Sequence, residues 1–149
     1  MIHLQFSESI PPALQPSVLE RVALETLSAI PEPEKADLTI VLTDDNQIHQ
    51  LNRDFLAVDA PTDVLAFPAD YIDPDTNASY LGDVIISYER AVVQAQAGGH
   101  LLEHEIELLV VHGILHLLGH DHADPEEKAK MWEAQSTVLR RLGNPLSPT

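Results

Sequence analysis

No cysteine occurs in the 149 residues. Disulfide staples, thiolate metal sites and iron–sulfur clusters are excluded with it, so any metal must be bound by imidazole, carboxylate or water, a donor set that favours zinc or a similar divalent transition ion. Basic residues are scarce: eight lysines and arginines stand against 24 aspartates and glutamates, a formal net charge of −16. A generic nucleic-acid binder presents a basic face that releases counterions from phosphates, and this composition argues against one. A polyanionic substrate would have to be held by a metal and a few well-placed arginines, or be delivered by a partner.

Long apolar runs are missing too. The longest, Leu108–Leu118, contains two histidines and a glycine and falls well short of the roughly 20 residues that span a bilayer. No transmembrane helix is expected. The first ten residues, MIHLQFSESI, lack the basic stretch and continuous apolar core of a secretory signal, which makes the cytoplasm the default location. No repeat or low-complexity tract is present. Hydrophobic residues, 44% of the chain, are spread along it, so residues 1–149 read as one domain with a core of its own.

Periodicity supplies the elements. Ile2–Phe6 reads as a strand and Ser17–Ile30 as a helix, with Val18, Leu19, Val22, Leu24, Leu27 and Ile30 at helical spacing. Asp37–Thr43 has the β-branched density of a buried strand. Asp44 or Asp45 then caps a helix to about Phe55 that gathers Ile48, Leu51, Asn52 and Phe55 on one side. Thr62–Phe67 is expected as a strand ended by Pro68, residues 68–80 as a solvated acidic loop, and Leu81–Tyr88 as a strand that can pair with Thr62–Phe67 as an antiparallel edge. A helix through Gln96 stops at Gly98–Gly99. Leu101–Gly119 and Pro125–Leu142 are long helices, the second with Asp124 as N-cap and Pro125 in its first turn, and the tail NPLSPT is expected to fray. The order points to an α/β (α+β-like) fold: a single mixed sheet of about four strands covered by helices.

Four of the eight histidines fall between positions 112 and 122. His112 and His116 are four apart on a helix, so their side chains leave one face about a turn apart, and Gly119 lets the chain turn back so that His122 can supply a third nitrogen. His112, His116, Gly119 and His122 have the spacing of metzincin-type zinc sites. Three nitrogens with an open fourth position suit a catalytic zinc, whereas structural zinc normally has four protein ligands. The glutamate that serves as general base in those peptidases is replaced by Gly113, which costs a helix about 1 kcal/mol relative to alanine. The glycine implies either close backbone packing or a substrate group passing near the metal. His120 also follows Gly119, but the spacing favours His122 and leaves His120 as a pocket or surface group. Asp121 either orients a ligand histidine through its second ring nitrogen or is merely solvated.

The segment VVHGILHLLGHDH, Val110–His122, resembles the signature H-G-x-L-H-L-x-G-Y-D-H of the YbeY family of ribosomal RNA maturation factors. Leu51–Pro68 (LNRDFLAVDAPTDVLAFP) and Leu81–Ser87 (LGDVIIS) are similar to the same family in order and spacing, while the first 36 residues match only in their strand–helix pattern. The resemblance implies a metal-dependent endoribonuclease acting on single-stranded RNA in ribosomal RNA maturation and ribosome quality control. It implies one zinc per chain on His112, His116 and His122, with the ribosome or ribosomal proteins as partners and no DNA or membrane. The family commonly has an arginine directly after the aromatic residue of its Leu-Asn motif, where this chain has Leu56. Arg53, three residues earlier on the same helix, shares roughly one face with that position and is a candidate catalytic residue, the alternative being a solvent-exposed helix arginine. The family's tyrosine before Asp-His is His120 here, and its serine in the L-S-F-P stretch is Ala66. Two rival functions are a metallopeptidase-like hydrolase, which Gly113 disfavours, and a ribosome-associated binding protein with a structural metal. A fourth protein ligand would favour the latter.

Overall fold

A computed structural model describes residues 2–11, 15–29 and 36–146, the side chain of Asp70 excepted. The elements run β1 (Ile2–Phe6), α1 (Pro16–Ala29), β2 (Ala36–Thr43), α2 (Asp45–Leu56), β3 (Val64–Ile72), β4 (Ser79–Ser87), α3 (Tyr88–Gly98), α4 (Leu102–Leu117) and α5 (Pro125–Leu142). The four strands form one mixed sheet in the order β1-β2-β4-β3, parallel at the first two pairings and antiparallel between β4 and β3. No described helix is long and apolar enough to cross a membrane.

Strand side chains alternate between faces, and the alternation decides which helices lie where. Leu38, Ile40 and Leu42 of β2, Val84 and Ile86 of β4, and Val64 and Ala66 of β3 join the main core with α1, α4 and α5. The residues between them, Val41, Leu65, Phe67 and Ile85, pack with Ile48 and Leu51 of α2 on the other face. α4 is central, touching α1, α3, α5, β3 and β4. That is why Leu108–Leu118 is apolar on nearly every side: a helix enclosed all round has no solvent face to keep polar.

Helix ends follow local chemistry. Asp44 accepts the Gln47 backbone N–H at 2.9 Å and caps α2, and Asp124 accepts that of Glu127 at 2.8 Å and caps α5. α3, α4 and α5 each end in paired backbone bonds of the Schellman type, with Gly99, Gly119 and Gly143 in the left-handed position.

Three expectations need correction. β3 does not end at Pro68 but continues to Ile72, and β4 begins at Ser79, so most of 68–80 is hairpin and only residues 73–78 form the loop. Proline is tolerated because β3 is an edge strand and its register shifts between Pro68 and Tyr71, leaving no ladder bond for the missing N–H to make. Phe55 is 69% exposed instead of sharing the buried side of α2 with Ile48 and Asn52, and its ring packs edge-to-face with that of Phe67. The tail is docked at its start. Asn144 is buried, its amide donating to the His104 carbonyl and to Glu107 Oε1, both at 3.0 Å. Ile30 and the last three residues, 147–149, lie outside the described residues.

Candidate metal centre

The last two turns of α4 carry His112 and His116, both half-buried. Gly119, at φ +96°, takes the left-handed conformation that reverses the chain. Gly119 N–H donates to His116 O at 3.1 Å and His120 N–H to Leu115 O at 2.9 Å, which closes the helix and sends residues 120–122 back over its end. His122 is thereby brought to the other two. One ring nitrogen from each of His112, His116 and His122 lies within 4.8 Å of the others, and among the described residues no fourth His, Asp or Glu joins the group.

The geometry fits a cation. Nε2 of His112 and Nε2 of His116 are 3.0 Å apart, close to the edge of about 3.3 Å expected between nitrogens bound at about 2.05 Å to a tetrahedral zinc. His112 Nδ1 lies 3.0 Å from Gln135 Oε1. An amide oxygen only accepts, so the His112 proton sits on Nδ1 and its Nε2 lone pair is turned toward the cluster. Burial holds the His112 pKa below the ordinary imidazole range, with the neighbouring His116 and His122 adding to the effect and Gln135 and Asp63 opposing it. His116 is lowered by burial and then by His122. Both rings are neutral at pH 7, the form that binds metal.

Gln135 escaped the sequence reading, although a signal was there. It lies at core-facing spacing on α5 among Met131, Val138, Leu139 and Leu142, all buried, and a polar side chain on such a stripe needs a buried partner. Asp121 does not orient an imidazole. Its carboxylate accepts the backbone N–H of His122 at 2.7 Å and so shapes the turn. His120 lines the neighbouring cleft without joining the three nitrogens.

Gly113 is explained by packing. A Cβ built there would lie 2.5 Å from Val84 Cγ1 and 3.4 Å from Val64 Cγ2, because α4 presses directly on β4 and β3. A glutamate would not fit, and the peptidase base has no place.

Two clefts meet at the histidines. One, of about 550 Å³, runs between α4 and α5 past Trp132 and Lys128. The other, of about 530 Å³, lies along β3 past Ala66, Pro68 and His120. Both include Asp63, His112 and His122. Arg53 lines neither of them. It lies on α2, whose packing residues meet the opposite face of the sheet, and its Nε donates to Asp54 Oδ1 at 3.3 Å.

Comparison with known proteins agrees with this architecture. The profile of the Endoribonuclease YbeY family matches residues 5–143. Endoribonuclease YbeY of Chloroflexus aurantiacus is 42% identical over 151 residues, covering 97% of this chain and 96% of that protein. Endoribonuclease YbeY of Roseiflexus castenholzii is 41% identical over 132 residues, covering 85% and 83%. A solution structure of a Thermotoga maritima protein, 24% identical, matches the fold with a TM-score of 0.59 over 97% of this chain and 94% of that one. With a matching profile over nearly its whole length and relatives above 40% identity, the chain belongs to the YbeY endoribonuclease family.

Proposed function

We propose that this protein is a zinc-dependent endoribonuclease that cuts single-stranded RNA, acting in ribosomal RNA maturation and ribosome quality control, with His112, His116 and His122 holding one zinc. The observation that carries the proposal is the convergence of three imidazoles where two open clefts meet, in a chain of this family. An ion held there supplies Lewis acidity toward a phosphate oxygen and lowers the pKa of water. The chain's own contribution is positional. Gln135 fixes the His112 tautomer, the Gly119 turn delivers His122, and the clefts give a strand of RNA a path on either side of the cluster.

Charge shapes the expected behaviour. With a net charge of −16, few counterions are released on binding, so cleavage of a short RNA should be slow and only weakly dependent on salt. Arg53 is the candidate catalytic residue carried over from the sequence. It lines neither cleft and sits on α2 across the sheet from the histidines, so it could contact only a phosphate remote from the metal, on an RNA that wraps the sheet edge.

Cleavage and metal content measured together for wild type, Arg53→Ala and His112→Ala test the proposal. Wild type cuts RNA, and His112→Ala loses both metal and cleavage. A drop in Arg53→Ala with zinc retained supports a phosphate contact, whereas wild-type rates remove Arg53 from the mechanism. If metal-loaded wild type cuts no RNA, alone or with ribosomes, the endoribonuclease proposal is wrong.

A further inference from the structure

We propose that the cleft between α4 and α5 is a nucleobase subsite, in which the base next to the cleaved phosphate of a single-stranded RNA stacks on Trp132. The proposal rests on the endoribonuclease reading of the three histidines and adds to it what sits beside them.

The half-buried Trp132 ring stands at the cluster's edge, its centroid 6.2 Å from that of His112 and 5.9 Å from that of His122. That is a separation a ribose can bridge between a phosphate at the histidines and a base on the indole. The other cleft offers no indole: apart from the three histidines, the one aromatic ring in its lining is the smaller imidazole of His120, among residues such as Ala66, Pro68, Gly113 and Gly119. Stacking on an aromatic face suits single-stranded nucleic acid because every base offers a π-face.

The walls favour a base over a phosphate. Asp63 and the nearly buried Glu105, 6% exposed, bring two carboxylates to the cleft. These repel a phosphate but accept N–H groups from a base edge. Both are held in place: Asp63 Oδ2 accepts from Gln94 Nε2 at 3.3 Å, and Glu105 Oε1 lies 2.7 Å from His100 Nε2. The cation is placed at the rim. Lys128, exposed and one helical turn before Trp132, holds its ammonium 5.6 Å from the indole centroid. A base arriving on the indole displaces that ammonium toward the adjoining phosphate, so one of the chain's few cations changes partner without crossing the acidic cleft.

Trp132 is the only tryptophan, so its fluorescence reports this cleft alone. The zinc-loaded full chain is titrated with adenosine 5′-monophosphate, cytidine 5′-monophosphate and ribose 5-phosphate, which share the phosphate and differ in the base. Saturable quenching by the nucleotides and none by ribose 5-phosphate is expected. Equal quenching by all three, or by none, overturns the subsite. On a short single-stranded RNA, Trp132→Ala should raise KM roughly ten-fold with kcat and zinc content near wild type, and Trp132→Phe should recover most of the loss. An unchanged KM in Trp132→Ala also overturns it. If wild type cuts no RNA, the nuclease reading fails separately, and the nucleotide titration still decides whether the cleft takes a base.

Discussion

Replacing Gly113 by alanine should destabilise the protein, although alanine is the better helix former. The new methyl carbon would lie 2.5 Å from Val84 Cγ1 and 3.1 Å from Cγ2, where comfortable carbon contacts are about 3.5–4.0 Å. Roughly 1 Å must therefore be found against a fully buried valine on a central strand. Overpacking of this kind costs about 1–3 kcal/mol, and the gain in helix propensity offsets about 1 kcal/mol of it. The expected net loss is up to about 2 kcal/mol. In a Val84→Ala background the obstructing methyls are gone and the nearest remaining carbon is Val64 Cγ2 at 3.4 Å. There the same substitution should stabilise by up to about 1 kcal/mol, a change of sign and a coupling of about 1–3 kcal/mol, the size of the overpacking cost itself. Urea unfolding of the four proteins, followed by circular dichroism with chelator present so that metal binding does not contribute, measures both values. A cost of equal sign and size in both backgrounds would refute the packing explanation of Gly113.

Gln135→Leu should weaken zinc binding by about 10- to 100-fold, as loss of a partner behind a metal-binding histidine generally does, while Gln135→Glu keeps an acceptor for His112 Nδ1 and should bind well. Competition against a chromophoric chelator reads both, and equal affinities for Leu and Gln would remove the orienting role. Glu107 should make the protein less stable as pH rises: burial raises its pKa, the Asn144 hydrogen bond opposing in part, so the folded state holds the proton longer than the unfolded chain. Its contribution is therefore fully present below the unfolded carboxyl pKa of about 4.3 and is lost as pH rises through the folded value. Glu107→Gln can still accept from Asn144, and its urea midpoint should be higher than wild type at neutral pH and vary less with pH. Parallel pH profiles would contradict this.

The β-branched density of β2, the helical spacing in α1 and the capping at Asp44 and Asp124 were legible in the sequence because each is a local pattern. The histidine cluster was legible for the same reason, since its three members lie within one helix end and one turn. What escaped depends on contacts far apart in the chain. Pro68 looks like a strand end until β3 is known to be an edge. Gly113 looks ambiguous until α4 is seen against Val84. Gln135 meets His112 across 23 residues, and Asn144 reaches Glu107 across 37, so local periodicity names neither partner, even where, as at Gln135, it marks a polar residue that needs one. The missing family arginine at Leu56 was visible, but not the position of Arg53 on the far side of the sheet, which only the strand order determines.

The most direct test of the metal centre is the zinc content of wild type, His116→Ala and His120→Ala after identical purification and dialysis. His116 contributes one of the three converging nitrogens and His120 does not. Wild type and His120→Ala should each retain close to one zinc per chain and His116→Ala almost none. Equal metal loss in the two variants, or full occupancy in His116→Ala, would contradict the assignment of His112, His116 and His122 as the ligands.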